Sequence, residues 1–126
     1  GLLDQHMVPV FKNTSKNFFS LPNELFFLNI GHGVITVYAY LLYCEDRRTH
    51  QCHPSYRTIS DVVHLTVSTV MKHIKKLADR QFITVESTSY IDKRGMKWNG
   101  NNLYTILPIQ MAMDYCYQQQ LLRLEA

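Results

Sequence analysis

Between residues 55 and 83 the apolar positions recur every three or four residues in two short runs separated by a polar break. In the first run Ile59, Val62 and Val63 fall on one side of a helix that opens after Ser55, whose hydroxyl can accept from backbone N–H groups two or three positions on. The second run, Val70, Ile74 and Leu77, keeps the i, i+4, i+7 spacing of a single apolar stripe, with Thr66 as its N-cap. His64 and Leu65 are left to make the turn. The opposite side of the second helix carries Ser68, Lys72 and Lys75, with Met71 flanking it near the start, while His73 borders the apolar stripe as a partly buried packing residue. Past this pair the period changes to two: 82–91 alternates and is rich in Thr, Val, Ile and Tyr, which predicts a half-buried strand. A second strand follows at 102–107, with the turn signals Asp92-Lys93-Arg94-Gly95 and Asn99-Gly100 between them. Tyr90 and Trp98 are expected to cover a face of this hairpin rather than to stack on bases. After Pro108 the three- and four-residue steps return at Ile109, Ala112, Met113, Cys116, Gln120 and Leu124, predicting a terminal helix. A second apolar set, Met111, Tyr115, Leu121 and Leu122, makes that helix nearly hydrophobic all round, and the core is expected to end before Pro108.

Composition narrows the class. A chain of 126 residues with 46% hydrophobic content supplies one compact core and not two. The stretch from Val34 to Tyr43 is too short and too polar to cross a bilayer, and no charged start followed by an apolar run and cleavage site is visible, so no membrane partner is expected. The net charge of +3 is small, but residues 64–98 hold seven basic side chains against three acidic ones, so the rest of the chain is slightly acidic. That asymmetry is the footprint of polyanion contact confined to one face. The three cysteines, Cys44, Cys52 and Cys116, are odd in number and lack a C-x-x-C pair, which fits a reduced cytoplasm without disulfides. Cys44, His50, Cys52 and His53 match no common zinc spacing. No Gly-rich phosphate loop, G-x-S-x-G elbow or H-E-x-x-H helix is present, and Glu45, Asp46, Arg47 and Arg48 read as a solvated loop. The expectation is binding without catalysis, cofactor or metal.

The order of these parts at 53–107 resembles the winged helix-turn-helix domains of bacteria, phages and plasmids. The family's turn usually runs Gly, aliphatic, Ser or Thr, and here His64, Leu65 and Thr66 stand in those places. The second helix of the family often closes on Gly before a Leu-Ile-like pair, and here Gln81 precedes Phe82-Ile83. Upstream, FFSLPNELFFL at 18–28 and VYAYLLY at 37–43, followed by CHPSYRTIS, are similar to plasmid replication initiators of the RepA N-terminal type, extending the likeness to 18–107. The resemblance implies an α+β, mostly α fold: a winged helix-turn-helix with a β-hairpin wing and an appended C-terminal helix. It divides the chain into an N-terminal arm at 1–17, the winged domain at 18–107, and a dimerisation or linker helix at 108–126. It implies sequence-specific binding of double-stranded DNA, with replication initiation as the first role and transcription regulation as the alternative. Val67, Ser68, Met71, Lys72 and Lys75 would meet the groove from the helix capped by Thr66. Tyr56, Arg57, Thr69 and Lys76 would meet the flanking backbone, and Lys93, Arg94 and Lys97 would form the wing contact. Expected partners are duplex DNA, a second copy through the terminal helix, and replication proteins. A winged helix used only for protein contacts is the reading from another class.

Overall fold

The computed structural model describes residues 19–125, so the arm at 1–17 lies outside the described region. A 3-10 turn at Asn23–Phe27 leads into α1 (His32–Cys44), then β1 (Gln51–Cys52), α2 (Tyr56–Val63) and α3 (Val67–Asp79). Four strands follow, β2 (Ile83–Glu86), β3 (Ser89–Ile91), β4 (Lys97–Asn99) and β5 (Leu103–Ile106), and the chain closes on α4 (Ile109–Glu125). This is a winged helix-turn-helix with an appended helix. Among the described residues no helix is long and apolar enough to cross a membrane.

Local chemistry sets the helix ends where the pattern placed them. Ser55 and Thr66 both stand in extended backbone and accept, through their side-chain oxygens, from Thr58 N–H at 3.0 Å and Thr69 N–H at 3.3 Å. The two helices are separated by His64, which is left-handed at φ 58, ψ 40. With the chain reversed there, the backbone N–H of Leu65 reaches Ser60 O, satisfying a carbonyl that the helix end exposes. Gln81 does the same for α3 at φ 68: Phe82 N–H donates to Leu77 O at 2.9 Å and Gln81 N–H to Ala78 O at 3.2 Å, the pair of bonds of a Schellman cap. Both positions that depart from glycine in the resemblance therefore keep the left-handed conformation glycine would have supplied.

The helices converge on one core. Leu25 comes from the 3-10 turn, Ile30 from the link after it, Val34, Val37, Tyr38 and Leu41 from α1, Ile59 from α2, and Val70, Ile74 and Leu77 from α3, all fully or nearly fully buried. Phe82 closes it, its ring meeting Tyr38 edge-on at 5.2 Å between centroids and 73° between planes. The helices α1 and α3 approach closely at Gly33, where an added Cβ would fall 2.6 Å from His73 Nε2. His73 is half-buried there, as its position beside the stripe predicts. Val62, expected on the buried side of α2, is instead 51% exposed. Eight residues make little more than two turns, and only the row through Ile59 and Val63 faces the core.

The strand expected at 82–91 is two strands. Its first part, β2, pairs antiparallel with β5, and β5 pairs on its other edge with β1, a two-residue strand too short to show in the pattern. Its second part, β3, pairs only with β4, Tyr90 opposite Trp98. Glu86 faces Leu103 and Ser89 faces Asn99, so Ser87 and Thr88 stand against Gly100, Asn101 and Asn102. That extra residue is a β-bulge, and it breaks the ladder. The turn signal at Asn99-Gly100 thus marks the bulge, while Asp92–Gly95 makes the tip. No residue of β3 or β4 is buried. The core also runs past Pro108, contrary to expectation, because Ala112 is buried and Ile109, Met113 and Cys116 pack against it. Gln120 and Leu124 lie outside that contact, Leu124 being 83% exposed.

Two expectations follow for stability. Replacing Gln81 or His64 by Gly removes a left-handed β-carbon, and the gain should exceed the added entropy of the unfolded chain by about 0.5–1 kcal/mol at Gln81 and less at His64, since His tolerates that region better. Urea unfolding of Gln81→Gly and His64→Gly measures it, and a loss of stability in both would show that the side chains matter more than the backbone. The His73 imidazole is held below its ordinary pKa, first by burial and then by Lys76 and His32. The folded protein thus binds this proton less readily than the unfolded chain, so stability is full above the unfolded value and falls as pH drops below about 6.5. The melting midpoint should decline between about pH 7 and pH 5, and His73→Gln should flatten that decline.

Candidate nucleic-acid interface

Once Val70, Ile74 and Leu77 are buried, the opposite side of α3 has nowhere to go but outward. Val67, Ser68, Met71, Lys72 and Lys75 are all exposed and share that side. At its start the hydroxyls of Thr66, Ser68 and Thr69 form one local cluster, Thr66 Oγ1 lying 2.8 Å from Thr69 Oγ1 and 3.3 Å from Ser68 Oγ. Lys75 pairs with Asp79 at 3.0 Å, an exposed i, i+4 contact that a stronger partner displaces cheaply. Lys76 behaves differently from the rest of the expected set. Its ammonium donates to the Ile30 carbonyl at 3.0 Å, tying α3 to the segment before α1 and turning the side chain away from the outward face.

The N-termini of α2 and α3 meet the base of the wing around an open cleft of about 490 Å³. Its walls include Ser55, Tyr56, Arg57, Val67 and the bulge residues Gly100, Asn101 and Asn102, with Tyr104 beneath. Two side-chain amides lock these parts together. Asn102 Nδ2 donates to the Tyr56 hydroxyl at 2.9 Å, and Asn101 Nδ2 donates to the His53 carbonyl at 3.2 Å. Across the bulge, Gly100 N–H donates to Thr88 O at 2.9 Å and the Thr88 hydroxyl donates to Asn101 O. Burial pushes the Tyr104 phenol well above its ordinary pKa, against the Asn102 side chain, whose hydrogen bond lowers it. Tyr56 therefore ties the start of α2 to the base of the wing, whereas Arg57 on the rim is exposed.

Lys93, Arg94 and Lys97 are exposed at the far end of the wing. Tyr90 and Trp98, expected to cover the sheet, stand opposite each other in the hairpin register yet remain 56% and 45% exposed, because nothing in the core reaches the tip. The structure thus brings Val67, Ser68, Met71, Lys72 and Lys75 onto one helix side, places Thr66, Thr69, Tyr56 and Arg57 at its near edge, and sets Lys93, Arg94 and Lys97 apart on the wing. Asn101, Asn102, Asp92 and Trp98 were not singled out as site residues by the pattern. The Asn99-Gly100-Asn101-Asn102 run was the available signal, since small amide residues after a strand favour local hydrogen bonds and bulges. Cys44, Cys52 and His53 line one shallow cleft, and among the described residues no group of three or more side chains is placed to hold a metal ion.

With the geometry in place, comparison with known proteins gives two positive results. No curated protein sequence matches the chain. A solved structure from Methanosarcina mazei Go1, described as a "possible transcriptional regulator", superposes with a TM-score of 0.50 at 22% identity, covering 78% of this chain and 76% of that one. Residues 28–83, from the end of the 3-10 turn through α3, match the family model of a helix-turn-helix domain.

Proposed function

We propose that this chain binds double-stranded DNA through the outward side of α3, with the wing as a second contact, and that it serves as a transcription regulator. One observation carries the reading: the side of α3 opposite its buried stripe presents Val67, Ser68, Met71, Lys72 and Lys75 together, next to a basic wing, within the segment that holds the chain's positive excess. A helix so placed fits the major groove, where Lys72 and Ser68 reach base edges and Met71 and Val67 supply apolar contact to thymine methyls. Arg57 at the cleft rim and Thr66 and Thr69 at the helix start suit backbone phosphates, while Lys76 serves the fold. The regulator role is supported by the helix-turn-helix match and by the name of the archaeal protein that shares the fold. Replication initiation rests on the sequence likeness at 18–107 alone.

A second copy is the partner we propose for the outer half of α4. Tyr117, Leu121, Leu122 and Leu124 are all exposed there, spread over more than one side of the helix. Two linked half-site contacts raise effective affinity without any new base contact.

Fluorescence anisotropy with a labelled duplex tests the DNA reading. Affinity should fall with salt at a log-log slope of roughly −4 to −6, as about six basic side chains release counterions. Within that assay Lys72→Ala should relax sequence preference by about 1–3 kcal/mol, whereas Lys93→Ala should weaken all duplexes alike. A flat salt response, or a change of preferred sequence from the wing variant alone, would sink the assignment. For the dimer, truncation after Gln118 spares Ala112 and Cys116 and should turn a sedimenting dimer into a folded monomer. A full-length monomer would refute self-pairing.

A further inference from the structure

The turn at the wing tip is organised by one carboxylate. Asp92 Oδ1 accepts from the backbone N–H of Arg94 at 2.8 Å and of Met96 at 3.0 Å, and Oδ2 accepts from the indole Nε1–H of Trp98 at 2.8 Å. The Arg94 guanidinium lies 3.8 Å from Oδ2. Backbone bonds from Asp92 N–H to Met96 O at 2.9 Å and from Gly95 N–H to Asp92 O at 3.0 Å complete the turn, with Gly95 at φ 80. The Trp98 bond, then those from Met96 and Arg94, hold the carboxyl below its usual range, so it stays ionised. Two strands of three residues with every position exposed have little packing to keep them in shape. An ionised acid here also opposes polyanion binding on charge alone, since it sits among Lys93, Arg94 and Lys97.

We propose that Asp92 is a positioning residue of the wing, its carboxylate turned onto Trp98 and the turn amides so that Lys93 and Arg94 meet backbone phosphates in a preformed arrangement. The proposal rests on the duplex-DNA reading above. A preformed tip loses less conformational freedom on binding, and that saving outweighs the single negative charge, which already faces three N–H donors. Trp98 is the only tryptophan in the chain, so its emission reports the tip alone.

The test measures duplex affinity, salt slope, Trp98 emission and unfolding midpoint for the full chain and for Asp92→Ala and Asp92→Asn. Removing the acid makes the chain more positive, so charge alone predicts tighter binding. Positioning predicts the reverse: Asp92→Ala should bind about threefold to tenfold more weakly, with a slope shallower by about one, as one ordered phosphate contact is lost. Its Trp98 emission should move to longer wavelength while the unfolding midpoint holds, because β3 and β4 bury nothing. Asp92→Asn keeps an oxygen for the turn amides and should fall between. Asp92→Ala binding as tightly as the parent chain or tighter, or a lowered midpoint in both variants, overturns the proposal. If the parent chain itself fails to bind duplex at low salt, the DNA reading falls and this proposal with it; intact parent binding with an unweakened Asp92→Ala removes this proposal alone.

Discussion

The burial of one narrow stripe on α3 governs the rest of the molecule. Val70, Ile74 and Leu77 are the residues through which α3 meets α1, α2 and the sheet, and each contributes about 1.5–3 kcal/mol on leaving water. That sum exceeds the about 1–2 kcal/mol that each left-handed residue costs at either end of the helix. His64 and Gln81 are therefore held in backbone that their side chains disfavour, and the chain reverses where it must for the stripe to seat. Once the stripe is seated, the azimuth of every other α3 residue follows from the helix period. The outward set is a consequence of the inward one.

That dependence explains what could be read from the residues beforehand. Ser55, Thr66 and the apolar steps of α3 act within a few residues of themselves, so their roles are written locally. His64 and Gln81 were legible through their places in the turn, again a local matter. Lys76 was not, because its partner is a carbonyl in the segment before α1, forty-six residues away, and no nearby pattern announces it. The split of the wing was hidden for the same reason. Whether Ser87 and Thr88 face two residues or three depends on the register of β2 against β5, which is fixed by Ile83, Ile106 and the core beneath them. β1 is a strand only because β5 offers it an edge. Val62 looked buried because its chemistry is apolar, yet a helix as short as α2 has room for just one inward row.

The wing divides physically at the bulge. Below it, β2 and β5 are part of the core sheet, and Asn101 and Asn102 tie the bulge itself to the start of α2. Above it, the hairpin keeps its shape through hydrogen bonds around a single acid and through a ladder three residues long. The two parts answer to different forces: burial holds the lower one, and directional polar contacts hold the upper one.

That division has a bearing on how such a protein can change. Apart from the half-buried Asp92, residues 89–99 carry exposed side chains, and no core position depends on any of them, while the junction beneath is anchored on both strands. New tip sequences of different length or charge can be mounted on the same junction at little cost to the fold, provided the turn they bring is self-supporting. Variation in what the wing meets is thereby uncoupled from the packing that keeps α3 in place, and the tip behaves as an exchangeable cassette on a fixed mount.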